Sequence, residues 1–294
     1  MTHPAWAGAR MEWVPPAREL ADQVNTLFVV RMGPGRYKTM MPAYSAQLLM
    51  FAKGRASIHY PAGGVGHSCD IVFNAPLLRA APTILEGPLA CIGASFTPLG
   101  WAILAGLPVD KVHDQTLRAP DILDTAQRQS LFQSLAQFRE GAIEARAVCA
   151  AIEAMLLDRA AGSHTTPRSD HHALLGQIEN WLASSLNPSV ADLYGAVKLS
   201  PRHVQRLCKR YYGVAPAQLA KRYRAIRAAM LLSNRDLPAD LREDVLSSYF
   251  DQAHLIHDVR RFAGRTPSLL GNDPILRTLF DPDGHGRQGQ WVSQ

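Results

Sequence analysis

No run of about 18 uncharged apolar residues occurs in this 294-residue chain, so a membrane-spanning helix is not expected. Met1 to Arg18 mixes proline, tryptophan, glutamate and arginine without the apolar stretch of a secretory leader, and the expected location is the cytoplasm. Cysteine is scarce. The four present, Cys69, Cys91, Cys149 and Cys208, show no CxxC spacing, which argues against a disulfide frame or a zinc knuckle and predicts reduced, mostly buried thiols. No GxSxG elbow appears, and the glycine-rich Pro61–His67 lacks the Lys-Ser/Thr of a phosphate loop, so it is read as a hairpin loop. His59, His67, Cys69 and His113 lack an HxH pair followed by a carboxylate. No metal, cofactor or catalytic residue is assigned, and the chain is not read as an enzyme. With 47% apolar and 19% charged residues and no long biased tract, collagen, a coiled-coil rod and a disordered polymer are also excluded.

The length suggests two domains. The seam is Asp158 to His172, where Gly, Ser, Thr and Pro separate segments of helical periodicity, with the linker set at 161–172. Before it, short apolar runs bounded by turns (Val24–Met32, Gln47–Phe51, Ala56–Tyr60, Asp70–Phe73, Leu89–Phe96) predict a mainly antiparallel β domain. Residues 122–160 predict two amphipathic helices, carrying Leu131, Leu135 and Phe138 at i, i+4, i+7 and then the alanine-rich Ala142–Arg159. Their apolar faces either cover the sheet or pair with a second copy of the chain. Phe96, Trp101 and Leu104 are candidates for an apolar effector pocket, set against a plain core role. The fold class is therefore α+β: a β-rich sensory and oligomerisation domain over 1–160, an all-helical domain over 173–270, and a loosely held tail over 271–294.

Residues 1–160 carry 14 basic against 13 acidic residues, leaving 17 and 12 for the remainder. From Lys198 to Arg235 there are ten basic residues and no carboxylate, a field that points to a polyanion. The same region repeats itself at an offset of 51 residues. Ser200–Gly213 lies over Asp251–Gly264; each copy opens on a capping residue, closes on glycine and is followed by proline three residues later. In the first copy Val204, Leu207, Cys208 and Tyr211 form a stripe to be buried, leaving Pro201, Arg202, Gln205, Arg206, Lys209 and Arg210 outside. In the second, Leu255, Val259 and Phe262 form the stripe, leaving Gln252, Ala253, Ile256, His257, Arg260 and Arg261. An outer apolar group such as Ile256 suits a thymine methyl. Each repeat follows a short helical pattern, Val190–Val197 or Ala239–Ser247, so each reads as a helix-turn-helix. Leu219, Tyr223, Ile226 and Met230 mark a long helix between them. Neither turn has glycine: Val197-Lys198 and Ser247-Ser248 occupy those places, and a left-handed residue there would be strained by about 1 to 2 kcal/mol.

His171 to Leu270, with its LSPRHVQRLCKRYYGVAP and SYFDQAHLIHDVRRFAGRTP strings, resembles the DNA-binding domain of AraC/XylS-type transcription regulators. The resemblance implies seven helices, two helix-turn-helix units joined by one long helix, and a promoter-binding regulator, usually an activator, that meets double-stranded DNA and RNA polymerase. By matching positions Arg202, Gln205 and Arg206 would face bases in one groove, and Gln252, Ile256 and His257 in the next. The segment Phe96–Leu117 resembles N-terminal domains attached to such regulators, which implies small-molecule sensing and dimerisation; if the helices of residues 122–160 pair with a second copy, they would form that homodimer. Two other readings stand beside it: a metal-dependent enzyme domain fused to a DNA tether, and a regulator whose N-terminal half only dimerises.

Overall fold

The structure is a computed structural model that describes residues 9–162, 168–234 and 237–270. Its first half is an antiparallel sheet built from β1 (Arg10–Val14), β2 (Val24–Met41), β3 (Gln47–His59), β4 (Val65–His67), β5 (Ile71–Asn74), β6 (Ala81–Phe96) and β7 (Thr116–Arg118). The strand order is β1-β2-β6-β3-β5-β7, with β4 on β3. Pro61–His67 supplies the β3–β4 hairpin loop and β4 itself. Two helices, α1 (Pro98–Ala105) and α2 (Val109–Val112), stand between β6 and β7.

The strands are longer than the apolar runs predicted. Gly33-Pro34-Gly35 was expected to end a strand at Met32; it forms a register shift inside β2, whose pairing with β6 resumes at Gly35 opposite Gly87. The runs expected at 47–51 and 56–60 are one strand, β3, with shifts around Lys53. Extra residues of this kind bend a strand without ending it.

Side-chain alternation divides the sheet into two faces. Leu27, Val29, Leu48, Met50, Ile92 and Ala94 face α3 (Thr125–Arg139) and α4 (Ala145–Gly162), where Leu131, Leu135, Val148, Ile152 and Met155 complete the main core. The stripes of these helices that carry Leu131, Leu135, Val148, Ile152 and Met155 are thus buried inside the chain, while Phe132 and Leu157 remain exposed. The intervening positions Met32, Phe51, Val72, Leu85, Leu89 and Cys91 form a second cluster on the opposite face.

The second half is helical: α5 (Ser169–Ala183), α6 (Val190–Ala196), α7 (Pro201–Tyr212), α8 (Pro216–Ser233), α9 (Ala239–Ser247), α10 (Gln252–Ala263) and α11 (Pro267–Leu270). These are the seven helices expected, among the described residues. The seam is shorter than the expected linker, since α4 continues to Gly162 and α5 already includes Ser169–His172. Residues 163–167 and the expected tail, 271–294, lie outside the described residues. His171 is half-buried, with Nδ1 2.8 Å from the Tyr211 hydroxyl. No helix among the described residues is long and apolar enough to cross a membrane.

Candidate nucleic-acid interface

Both repeats fold as their end signals dictate. Ser200 Oγ accepts the His203 N–H at 3.4 Å, and Pro201 takes the first helical position, where its missing donor costs nothing. The Asp251 carboxylate accepts the His254 N–H at 2.7 Å. Gly213 (φ 78°) and Gly264 (φ 77°) close α7 and α10 in the left-handed conformation. The turns before them avoid the anticipated strain: Val197 is extended (φ −105°, ψ 141°) and Ser248 right-handed (φ −69°, ψ −8°). Neither turn needs a glycine.

On α7 the stripe Val204, Leu207, Cys208 and Tyr211 is buried, while Pro201, Arg202, Gln205, Arg206, Lys209 and Arg210 are all exposed. Gln205 Nε2 donates to the Tyr194 hydroxyl at 3.0 Å, and Arg206 Nη2 lies 3.1 Å from His203 Nε2. On α10 Gln252, Ala253, Ile256, His257 and Arg260 are exposed. Arg261 departs from the expected face. It is half-buried over the Phe262 ring, its guanidinium carbon 5.3 Å from the centroid, and its carbonyl accepts the Ala80 N–H from the first half. The two helices thus present donor-rich outer faces of like design, but the α10 face turns into the protein at its C-terminal end.

The helix α8 joins the two units. Its N-terminal residues Leu219 and Ala220 enter the core of the first, and Ala228, Ala229, Met230 and Leu231 that of the second. Asp258 of α10 is buried and ion-paired with Lys221 Nζ (3.0 Å) and Arg224 Nη2 (3.4 Å) of α8. Arg224 also stacks on Tyr249 at 4.4 Å. Arg227 donates to the Leu182 and Ser185 carbonyls at the end of α5. The carboxylate-free run therefore serves two purposes. Lys198, Arg202, Arg206, Lys209 and Arg210 face solvent, whereas Lys221, Arg224 and Arg227 fix helices to one another.

Sequence reasoning missed Asp258 and Phe250. The repeat itself signals the first, because the offset of 51 places Asp258 where the first copy has the buried Leu207. Phe250 is 93% exposed, immediately before the cap of α10, and meets the His254 ring edge-on at 6.1 Å.

A cavity of about 340 Å³ lies between the sheet and the second half, walled by the sheet face opposite α3 and α4 and by residues of α7 and α8. Phe96 and Trp101 are fully buried in the main core and touch its edge; Leu104 belongs to the core alone. Among the described residues no group of three or more His, Cys, Asp or Glu stands ready to hold a metal ion.

The family model described as a helix-turn-helix domain matches residues 193–272. No curated protein matches the chain. Among solved structures, ToxT from Vibrio cholerae is similar at 9% identity over 91% of this chain and 99% of that one, with a TM-score of 0.48. The AraC-like transcriptional activator CuxR gives 13% identity over 90% and 85%, with a TM-score of 0.33. A cupin-2 domain protein, Rru_A2000 from Rhodospirillum rubrum, gives 14% identity over 48% and 84%, with a TM-score of 0.24. These scores are too low to carry any property from one chain to the other. The family match, the duplicated unit and its capped, outward-facing helices together make residues 193–272 a DNA-binding helix-turn-helix domain of the AraC/XylS type of transcription regulator.

Proposed function

We propose that the chain is an operator-specific transcription activator that reads two successive major grooves, about 34 Å apart, with α7 and α10. In this reading Arg202, Gln205 and Arg206 meet base edges in one groove, and Gln252, Ile256 and His257 do so in the next. Lys209, Arg210 and Arg260 take phosphates, and Pro201 and Ala253 let each helix N-terminus approach closely. Arg261 is left out of the contact set because its side chain packs on Phe262. The carrying observation is that both copies bury their apolar stripe and leave the opposite, hydrogen-bonding face in solvent.

RNA polymerase is the partner through which activation would act, and a small molecule in the cavity is the effector that would set the arrangement of the two halves. A homodimer through residues 122–160 would have to use Phe132 and Leu157, the exposed large apolar side chains of that segment among the described residues, because Leu131 and Leu135 are buried in the core. Arg206→Ala tests base reading directly. Operator affinity is expected to fall by about 1 to 3 kcal/mol with relaxed preference at one base pair. Unchanged affinity and preference in a footprinting titration would remove Arg206 from the reading set.

A further inference from the structure

Two of the side chains proposed to read bases on α7 are already tethered, and in different ways. Arg206 leans on His203 of its own helix, with Nη2 3.1 Å from His203 Nε2. Gln205 is held from outside: its Nε2 donates to the Tyr194 hydroxyl of α6 at 3.0 Å, across the turn of the helix-turn-helix. That hydroxyl stands on a firm mount. The Tyr194 ring is half-buried against the core of the first unit, beside the fully buried Leu193. The start of α6 is pinned in turn, since Ser189 Oγ accepts the Ala191 N–H at 3.2 Å and the Ser189 carbonyl accepts the Trp181 Nε1–H at 2.6 Å.

A glutamine side chain free in water has two hydrogens on Nε2 and an acceptor at Oε1, and rotation of its last torsion lets it offer either two donors or a donor and an acceptor. The first pattern suits guanine, whose major-groove edge has two acceptors, N7 and O6. The second suits adenine, which has an acceptor at N7 and a donor at N6. The bond to Tyr194 takes one Nε2 hydrogen out of play. Gln205 is left with one N–H and Oε1, which is the adenine pattern. On α10 the 51-residue repeat puts Ile256 in the place of Gln205, a side chain with no polar head to orient, so the device belongs to the first unit.

We infer that Tyr194 is a further specificity-determining residue, a positioning residue that sets the Gln205 carboxamide for adenine and against guanine at one base pair of the first groove. The inference rests on the base-reading role given to α7 above, and adds to it a base identity and the side chain that enforces it. Tyr194 acts here without touching DNA. Holding the carboxamide before binding also spares part of the rotamer freedom that an exposed glutamine gives up on docking.

The test uses the full chain and a randomised double-stranded DNA library, from which the preferred duplex is selected; affinities are then measured for that duplex and its single-base-pair variants. At one pair the parent is expected to prefer A·T over G·C by about tenfold or more, and Gln205→Ala should bring those two within about threefold. Tyr194→Phe keeps the ring and removes the hydroxyl alone. It should flatten the same pair to about threefold, leave the preference at other pairs intact, and add nothing once Gln205 is alanine. G·C favoured at the Gln205-dependent pair in the parent would mean that the carboxamide is turned over, and would overturn the inference. So would a parent-like profile for Tyr194→Phe, or a lower melting temperature with affinity lost equally across all duplexes, which would make the hydroxyl a structural group. A library that yields no preferred duplex, or Gln205→Ala with an unchanged profile, defeats base reading by Gln205 and the inference with it. Sensitivity to Gln205→Ala without sensitivity to Tyr194→Phe defeats the inference alone.

Discussion

Cys69 lies in solvent, while Cys91, Cys149 and Cys208 are buried. Burial pushes the Cys91 and Cys208 thiols up to about 12 and that of Cys149 to about 11. Because the thiolate is the attacking species, iodoacetamide at pH 8 is expected to modify Cys69 alone in the native protein and all four cysteines after denaturation. Stoichiometric native labelling of Cys208, read by mass spectrometry, would contradict the packing of α7. Phe250 poses the opposite problem, an aromatic ring left in water beside the start of α10. Burial in the fold accounts for almost none of its surface, so Phe250→Ser is expected to change stability by no more than about 0.5 kcal/mol. If the ring meets a sugar or a thymine methyl, operator affinity should fall by about 1 kcal/mol, roughly fivefold. Equal affinity of the two proteins would assign the ring no part in DNA contact.

At the scale of elements, α7 and α10 are copies that differ in how they are held. Leu207 anchors one through apolar packing, and its counterpart Asp258 anchors the other through Lys221 and Arg224. Asp258→Ala leaves Arg224 half-buried without its counter-charge, a loss of up to about 3 kcal/mol, moderated because Lys221 reaches solvent. Chemical denaturation should show it, and Leu in place of Asp258 should not rescue stability while both cations remain. A melting curve for Asp258→Ala superposable on that of the parent would refute the brace. Much of this region was legible in the sequence because caps, closing glycines and the i, i+3, i+4, i+7 stripe are local signals. Ser200, Gly213, Asp251 and Gly264 occupy the roles their positions dictated. The partner of Asp258 was not legible, because pairing across α8 and α10 depends on how the two helices cross. In the sheet, Gly33-Pro34-Gly35 carries the chemistry of a break, and only the neighbouring strand decides that it is a shift in register. The cavity left a fainter trace. Runs such as Leu48 to Phe51 and Leu27 to Val30 are apolar at successive positions, as strands covered on both faces are. That trace pointed to the sheet face, whereas Phe96, Trp101 and Leu104 belong chiefly to the core.

Across the whole molecule, the two helix-turn-helix units are seated on the first half by the ends of their second helices. A Cβ on Gly264 would stand 2.5 Å from the Met40 Cβ, and one on Gly213 would stand 3.0 Å from Val109 Cγ1. Gly264→Ala therefore combines left-handed strain of about 1 to 2 kcal/mol with a collision against β2. Gly141, at φ 75° with open space around it, supplies the control, since Gly141→Ala carries the backbone strain alone. Gly264→Ala should lower the melting temperature further than Gly141→Ala and weaken protection of one half of the operator; equal effects would mean that the seat contributes nothing. The seat is made of main chain as well: the Ala43 N–H donates to the Phe262 carbonyl at 2.7 Å and the Ala80 N–H to the Arg261 carbonyl at 2.9 Å. Amides of the first half thus serve as the jig in which α10 is clocked about its own axis. If α7 and α10 read bases as proposed, a chimaera that kept residues 173–270 and borrowed another regulator's front end would retain the side chains proposed to read bases yet present them out of phase, and would select operators with a different interval between their two boxes.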